Sequence, residues 1–155
     1  MDVRRFRPED AEALSTLIRR NLLEVNTKDY PEEEMQALAD SYDTEKLLSM
    51  ASYAHMYVVC DGDTIAGTGA ITSFWGSETE SILLSVFVLP EYHGKGFGRA
   101  IIKALEGDEY FLRAKRIEVP ASITACGFYE KMGYVYKDGI NTPDEEGTVR
   151  MLKYR

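Results

Sequence analysis

Three glycines in alternation, Gly94, Gly96 and Gly98, form the segment of this chain whose spacing most clearly predicts a binding site. Glycine adopts backbone angles that are closed to other residues, and it lets backbone N–H groups approach a ligand closely. A strand-like apolar run ends just before these glycines, and a helix-like apolar pattern follows them. Because the first turn of a helix has unpaired N–H groups and the positive end of the helix dipole, this junction is suited to bind an anion such as phosphate.

Arg99 supports the interpretation as an anion site, since a cation in the first turn of a helix opposes the dipole unless a negative ligand lies between them. The simpler alternative is a strand-to-helix connection in which glycine only turns the chain. Spacing excludes two other phosphate-binding loops. The dinucleotide motif G-x-G-x-x-G requires glycine at position 99, and the Walker motif requires Ser or Thr after a Gly-Lys pair, whereas here Gly96 follows Lys95.

The glycine segment lies within a regular series of predicted helices and strands. Helical spacing of apolar residues predicts three helices before position 52, and Asp61-Gly62 predicts a hairpin turn between two strands. Residues 82–89 are apolar on both alternating faces except at Ser85, as expected for a central strand covered on both sides. A helix, a strand at 116–119, a second helix that ends near residue 132 and two terminal strands then follow.

A second block of sequence, residues 119–134, reads V-P-A-S-I-T-A-C-G-F-Y-E-K-M-G-Y. Together with the glycine segment, H-G-K-G-F-G-R, it resembles the two motifs of the GNAT superfamily of acyl-CoA-dependent N-acyltransferases, in the same order and at the same separation. The first motif is commonly written Q/R-x-x-G-x-G/A, so His93 replaces Gln or Arg. Ser122 stands where Asn is frequent. Neither departure affects the backbone N–H groups of the glycine segment.

The resemblance implies an α/β (α+β) architecture, the GNAT fold. In this fold a central mixed, mostly antiparallel sheet of six to seven strands is flanked by helices, and a splayed pair of strands binds coenzyme A (CoA). We therefore expect residues 1–155 to form a single N-acetyltransferase domain.

The resemblance also implies that acetyl-CoA is the donor co-substrate and that no metal takes part. The pantetheine arm of CoA is expected to pair with the backbone of Val86, Phe87 and Val88, and a backbone N–H near Phe87 or Val88 is expected to face the thioester oxygen. The other cofactor-binding residues implied are His93, Gly94, Lys95, Gly96, Phe97, Gly98, Arg99 and Ser122.

Tyr129 matches the family tyrosine that protonates the departing CoA thiolate. A thiol with pKa near 8.5 and a phenol with pKa near 10 differ by about 1.5 units, so proton donation costs roughly 2 kcal/mol before any effect of the surroundings. The alternative for Tyr129 is a core position with a hydrogen-bonded hydroxyl.

The base that accepts the amine proton is harder to assign. An alkylammonium with pKa near 10.4 loses its proton at pH 7 at a cost of about 4.6 kcal/mol. Glu118 occupies a strand position that carries the base in some relatives, although alternation with its neighbours allows it to face the other side. Glu80 and a water chain are the other candidates, because the family's frequent base position corresponds to Ile82, which cannot ionise.

The predicted function is transfer of an acetyl group to a primary amine of a small molecule or peptide, by direct attack in a ternary complex. The alternative is a non-catalytic acyl-CoA-binding sensor or regulatory module. Residues that could line an acceptor pocket, with core or surface packing as an equal explanation for each, are Tyr30, Tyr53, His55, Trp75 and the loop 138–147.

Charge and hydropathy limit the partners. A net charge of -8 argues against binding to nucleic acid and favours a cationic small substrate. No apolar stretch approaches the ~20 residues of a membrane span, so we expect no membrane partner and a cytoplasmic location. Related proteins often form homodimers, and the sequence selects no interface.

Overall fold

In the computed structural model, which describes residues 1–155, seven strands share one sheet. They are β1 (Asp2–Arg5), β2 (His55–Asp61), β3 (Thr64–Ser73), β4 (Glu80–Val88), β5 (Arg116–Ala121), β6 (Val135–Tyr136) and β7 (Val149–Tyr154). Their order across the sheet is β1-β2-β3-β4-β5-β7-β6, and every neighbouring pair is antiparallel except β4 and β5. The predicted mixed, mostly antiparallel sheet is therefore confirmed.

Six α-helices flank this sheet. They are α1 (Ala11–Glu24), α2 (Glu32–Ser41), α3 (Thr44–Ala51), α4 (Phe97–Glu106), α5 (Glu109–Leu112) and α6 (Cys126–Lys131). The Asp43 carboxylate caps α3 by accepting from the backbone N–H of Lys46 at 2.9 Å, which satisfies a donor that the first turn leaves unpaired. The single turn α5 has too few residues for a periodic apolar pattern, and the sequence did not predict it.

The two faces of the sheet carry separate apolar cores. On one face, α1, α2 and α3 bury residues that include Leu14, Ile18, Leu22 and Leu47. On the other face, α4 packs Ile101, Ile102 and Leu105 against β2, β3 and β4. Adjacent strand residues divide between the two cores, since Val58 belongs to the first and Val59 to the second. The sheet is thus covered on both sides, as the apolar run of β4 indicates.

The parallel strands β4 and β5 pair over only three positions. These are Glu80 with Arg116, Ser81 with Ile117, and Ile82 with Glu118. Beyond Ile82 the two strands no longer pair, although β4 continues to Val88 and β5 to Ala121. This is the splayed pair that the resemblance implies.

A bulge in β4 lies just beyond the point of separation. The pairing of β3 with β4 shifts so that Ser85 and Val86 together oppose the single residue Gly69. Ser85 has a φ of 52°, a conformation that costs a non-glycine residue about 1 kcal/mol or more. The Ser85 hydroxyl lies 2.9 Å from the hydroxyl of Tyr42, which follows α2. A hydrogen bond from the neighbouring helical layer therefore holds the bulge in place.

Gly69 also allows α4 to lie close to β3. A Cβ atom at this position would lie 2.7 Å from Cγ2 of Ile101 and 3.1 Å from Cδ1 of Leu105. We predict that Gly69→Ala lowers the free energy of unfolding by about 1–3 kcal/mol, the usual cost of overpacking a core. Urea unfolding provides the measurement. Gly127→Ala is the control, because a Cβ there meets nothing within 4 Å, and equal stability of the two variants would contradict the prediction.

Candidate active site

A cavity of about 390 Å³ lies where β4 has separated from β5. Its walls are the end of α1 with the turn after it, the second half of β4, the glycine segment, and the beginning of α6 with the residues before it. The residues expected from the sequence that line it are Val86, Phe87, Val88, His93, Gly94, Gly96, Gly98, Arg99, Ser122 and Tyr129. The fold thus brings together residues from both sequence motifs at one cavity.

The glycine segment presents a run of unpaired donors. None of the six backbone N–H groups from Gly94 to Arg99 donates to another protein group, and the first helical bond of α4 is from Ala100 to the Gly96 carbonyl at 3.0 Å. Gly94 and Gly96 have φ values of 73° and 87°, which only glycine adopts readily. Unpaired N–H groups at the start of an amphipathic helix fit the pyrophosphate of CoA.

Two residues of the glycine segment do not line the cavity. Lys95 extends over the ring of Tyr92, with its ammonium nitrogen 5.9 Å from the ring centre. Phe97 is buried, and its ring centre lies 4.7 Å from that of Tyr92 in an edge-to-face contact. Through Phe97 the segment is anchored to the core, so the alternating non-glycine positions hold the loop while the glycines face the cavity.

His93 fastens the glycine segment to β4. Its Nε2 donates to the carbonyl oxygen of Val88 at 2.8 Å. On β4, Phe87 pairs with β3 and the N–H of Leu89 donates to the Ala66 carbonyl at 2.8 Å, so the backbone groups of Val88 face the opposite edge. Val88 therefore presents its N–H at the open edge of β4, while His93 occupies its carbonyl.

Ser122 lines the opposite wall with a hydroxyl that already has a partner. Its side chain accepts from the backbone N–H of Ala125 at 3.2 Å and caps the turn that leads into α6. Asn at this position, as is frequent in the family, would carry an amide that reaches further than a hydroxyl.

Tyr129 on α6 is 3 % exposed, and its ring packs edge-to-face against the rings of Phe128 and Tyr134. Its hydroxyl has no hydrogen-bond partner in the protein, yet no fully enclosed polar atom lacks one, so the hydroxyl must open onto the cavity that Tyr129 lines. Burial raises the pKa of Tyr129 above its usual value, and Cys126 contributes in the same direction. The hydroxyl therefore keeps its proton at neutral pH.

Glu118 on β5 lies outside this cavity. It is 2 % exposed, and its carboxylate accepts hydrogen bonds from Arg116 at 3.1 Å, Lys137 at 3.2 Å and Arg150 at 3.0 Å. Three cations thus surround one carboxylate. Arg116 also binds Glu80, at 2.5 Å, so two of the sequence's candidate bases belong to one network of ion pairs.

A second cavity, of about 580 Å³, contains Glu118 in its wall. Its other lining residues are Phe74, Trp75, Ile82, Lys137, Asp144, Glu146 and Arg150. Ile82 and Glu118 form the last residue pair before β4 and β5 separate, so the second cavity adjoins the beginning of the gap. Trp75, which is 92 % exposed, stands at its edge.

The residues suggested for an acceptor pocket divide into two groups. Trp75 and part of the 138–147 loop line the second cavity. The hydroxyl of Tyr30 donates to the Gly147 carbonyl at 2.6 Å and so connects the turn after α1 to that loop. Tyr53 and His55 line neither cavity. His55 instead places Nδ1 2.9 Å from a carboxylate oxygen of Asp108.

The sequence did not predict two buried amides in the first cavity. Asn21 and Asn26 are 4 % and 9 % exposed, and both line the cavity from the α1 side. The signal was present at Asn21, because this polar residue interrupts the apolar stripe of α1 at a position that faces the core. Asn26 follows the helix, where periodicity gives no information.

The structure contains no group of three or more His, Cys, Asp or Glu side chains arranged to hold a metal ion. None of its helices combines the length and the apolar character needed to cross a membrane.

Solved structures of acetyltransferases superpose on this chain over nearly its whole length. A GCN5-related N-acetyltransferase from Rhodopseudomonas palustris gives a TM-score of 0.83 at 25 % identity, covering 99 % of this chain and 95 % of that one. PaiA N-acetyltransferase from Thermoplasma acidophilum, in complex with coenzyme A, gives 0.83 at 20 % identity, covering 99 % and 98 %. An aminoglycoside 6'-N-acetyltransferase complexed with coenzyme A gives 0.75 at 19 % identity, covering 99 % and 97 %.

A comparison with curated protein sequences found no match. The sequence profile of the acetyltransferase (GNAT) family, however, matches residues 18–134. Since the profile spans most of the chain, including the cavity walls formed by the glycine segment and α6, this protein belongs to the GNAT family of acyl-CoA-dependent N-acyltransferases.

Proposed function

We propose that the enzyme transfers an acetyl group from acetyl-CoA to a primary amine of a small molecule or peptide, by direct attack in a ternary complex. The observation that carries this proposal is the arrangement of one cavity. Unpaired N–H groups at the glycine segment, the open edge of β4 and the unpartnered Tyr129 hydroxyl all border it.

The residues of the cavity have separate tasks in holding the donor. The N–H groups of Gly94 to Arg99 bind the pyrophosphate, and the guanidinium of Arg99 adds a positive charge beside it. The open edge of β4 pairs with the pantetheine arm, in the way that an extended peptide adds to a sheet. The thioester then lies in the gap, within reach of Tyr129.

Acetyl-CoA supplies the acetyl group as a thioester. The amine nitrogen bonds to the carbonyl carbon and loses a proton, while the carbon–sulfur bond breaks. Tyr129 donates its proton to the departing sulfur, giving free CoA, and regains a proton from solvent. A backbone N–H at the open edge of β4, for which Val88 is correctly oriented, stabilises the negative charge that develops on the carbonyl oxygen.

The second cavity is the proposed site of the acceptor amine. It adjoins the gap at Ile82, so a bound amine would approach the thioester from the paired end of β4 and β5. The net charge of -8 supports a cationic acceptor, although in the wall itself Asp144 and Glu146 both pair with Arg150. Of the solved structures, the aminoglycoside 6'-N-acetyltransferase is named for an aminoglycoside acceptor.

Glu118 stays the predicted base, with a restriction that follows from its partners. Its two carboxylate oxygens already accept hydrogen bonds from three cations. One acceptor position on Oε2 is left open, so the proton of the amine can reach Glu118 only there, directly or through a water from the second cavity.

The overall proposal is tested by following the release of free CoA from acetyl-CoA with a panel of amines, which includes amino acids, polyamines, aminoglycosides and peptide N-termini. We expect turnover with at least one class. Tight CoA binding without turnover across the whole panel would contradict the proposal and favour the non-catalytic sensor.

Gly96→Val tests the glycine segment. We predict that it weakens CoA binding about 100-fold or more, because losing two hydrogen bonds to a charged phosphate costs about 3 kcal/mol. Isothermal titration calorimetry measures the affinity. Gly62→Val in the β2–β3 hairpin is the matched control, since Gly62 also has a positive φ, of 59°, and open space around it. Equal affinity of the two variants would exclude this segment as the phosphate site.

Tyr129→Phe tests the proton donor. The variant keeps the ring contacts but loses the hydroxyl, so we predict a fall in kcat of about 100-fold or more with an unchanged Kd for CoA. Steady-state release of free CoA provides kcat. Tyr154→Phe, at a position that is 64 % exposed, is the control. Turnover of Tyr129→Phe at the wild-type rate would show that another group protonates the sulfur.

Glu118→Gln separates the ionic role of this residue from a catalytic one. Removing the negative charge leaves three partly buried cations, so we predict a loss of about 1–3 kcal/mol in the free energy of unfolding. A base would in addition lower kcat/KM about 100-fold. Asp40→Asn is the control, because this exposed carboxylate also pairs with an arginine, Arg19 at 3.0 Å, and lines neither cavity. Wild-type kcat/KM in a folded Glu118→Gln variant would eliminate the base role.

A further inference from the structure

We propose that Asn26 binds the pantetheine arm of CoA through its side-chain amide. This inference rests on the proposed function, and it concerns a residue that belongs to neither sequence motif. Asn26 lies two residues beyond the end of α1 and lines the first cavity.

The first observation is a buried amide without a partner. The side chain of Asn26 makes no hydrogen bond within the protein, although the residue is only 9 % exposed. Its backbone carbonyl, by contrast, accepts from the N–H groups of Asp29 at 3.0 Å and Tyr30 at 2.9 Å. The turn is therefore fixed by the main chain, and the amide is directed into the cavity with its donors and its acceptor free. Every fully enclosed side-chain polar atom has a partner, so the unpartnered atoms of this amide are accessible from the cavity, where a ligand can bind them.

The second observation is the place of Asn26 along the cavity wall. At one end of this wall, Arg20 on α1 forms an ion pair with Glu91 at 3.0 Å, close to the glycine segment. At the other end, Asp29 accepts from the hydroxyl of Thr124 at 2.8 Å. Asn26 lies near the second of these links and therefore beside the residues around Ser122. This is the side of the cavity away from the phosphate-binding N–H groups.

The amide groups of the pantetheine arm suit the side chain of Asn26 better than the phosphates of CoA do. The pantetheine arm contains two amide groups, each with a carbonyl acceptor and an N–H donor, whereas the phosphates of CoA offer acceptors only. β4 can pair with one edge of the arm, so the other edge needs partners from the facing wall. A carboxamide matches an amide, because it donates and accepts at the same time.

Most other polar side chains on the facing walls have a hydrogen-bond partner in the protein, and the Tyr129 hydroxyl, which has none, is assigned to the departing sulfur. The Ser122 hydroxyl caps the turn before α6, and Nδ2 of Asn21 donates to the Leu17 carbonyl at 3.3 Å. Asn is frequent in the family at the position of Ser122, and this chain has no amide there. Asn26 supplies a free amide from the neighbouring wall of the same cavity, which the bond between Asp29 and Thr124 joins to the Ser122 turn, so it can take over a contact that Ser122 cannot make.

A pair of ligands tests the inference by calorimetry. CoA contains the pantetheine arm, and adenosine 3′,5′-bisphosphate retains the nucleotide but lacks the arm. We expect Asn26→Ala to weaken binding of CoA about tenfold, as removal of hydrogen bonds to a neutral ligand should, and to leave the bisphosphate affinity unchanged. Gln36→Ala, which removes an exposed amide on α2, is the control and should bind both ligands like the wild type.

Asn26→Leu provides a second variant with a similar shape, so that the test does not depend on how the fold tolerates a cavity. It should show the same selective loss for CoA. Equal losses for both ligands in the two variants would assign Asn26 a role in the fold and overturn the inference. Wild-type CoA affinity with a raised KM for the amine would overturn it in favour of an acceptor contact. Failure of the wild-type protein itself to bind CoA would instead reject the proposed function.

Discussion

The early separation of β4 from β5 is the constraint on which the rest of the site depends. Two parallel strands would normally continue to pair, since unpaired N–H and C=O groups inside a covered sheet are costly. Here pairing stops at Ile82, and the bulge at Ser85 bends β4 away while keeping it bonded to β3. The result is a strand edge inside the protein whose free backbone groups a ligand with its own amide groups can satisfy. An arm of the pantetheine type fits this requirement.

The proposed phosphate site depends on backbone groups more than on charged side chains. In a protein with a net charge of -8, the proposed site for a highly anionic co-substrate consists mainly of unpaired backbone N–H groups at the start of α4 rather than of a cluster of cations. Seven of its 18 Lys and Arg side chains form ion pairs elsewhere in the protein, three of them around Glu118. The phosphate site can therefore be positive locally while the surface remains acidic, which suits an acceptor that is itself a cation.

The parts of the site that could be predicted from the sequence are those set by short stretches of chain. The glycine segment needs only a strand before it and a helix after it, and Tyr129 was recognised within one continuous motif. Asn26 could not be predicted in this way. Its importance comes from contacts between the turn after α1 and residues about a hundred positions later, such as the bond between Asp29 and Thr124. Neither hydrophobic periodicity nor local motifs contain that information.

The sequence by itself determined the family, because two continuous motifs resemble those of the GNAT superfamily, and this resemblance implied the mostly antiparallel sheet and the anion-binding loop. Both motifs can be recognised without any tertiary contact. The tertiary structure alone decided which side chains share a cavity. It separated Glu118 from Tyr129, since neighbouring strand residues and ion pairs direct the carboxylate toward the second cavity. It also placed the side-chain amide of Asn26, in the turn after α1, at the cavity between the separated strands. Side-chain direction depends on packing among distant segments, and only the folded chain brings those segments together.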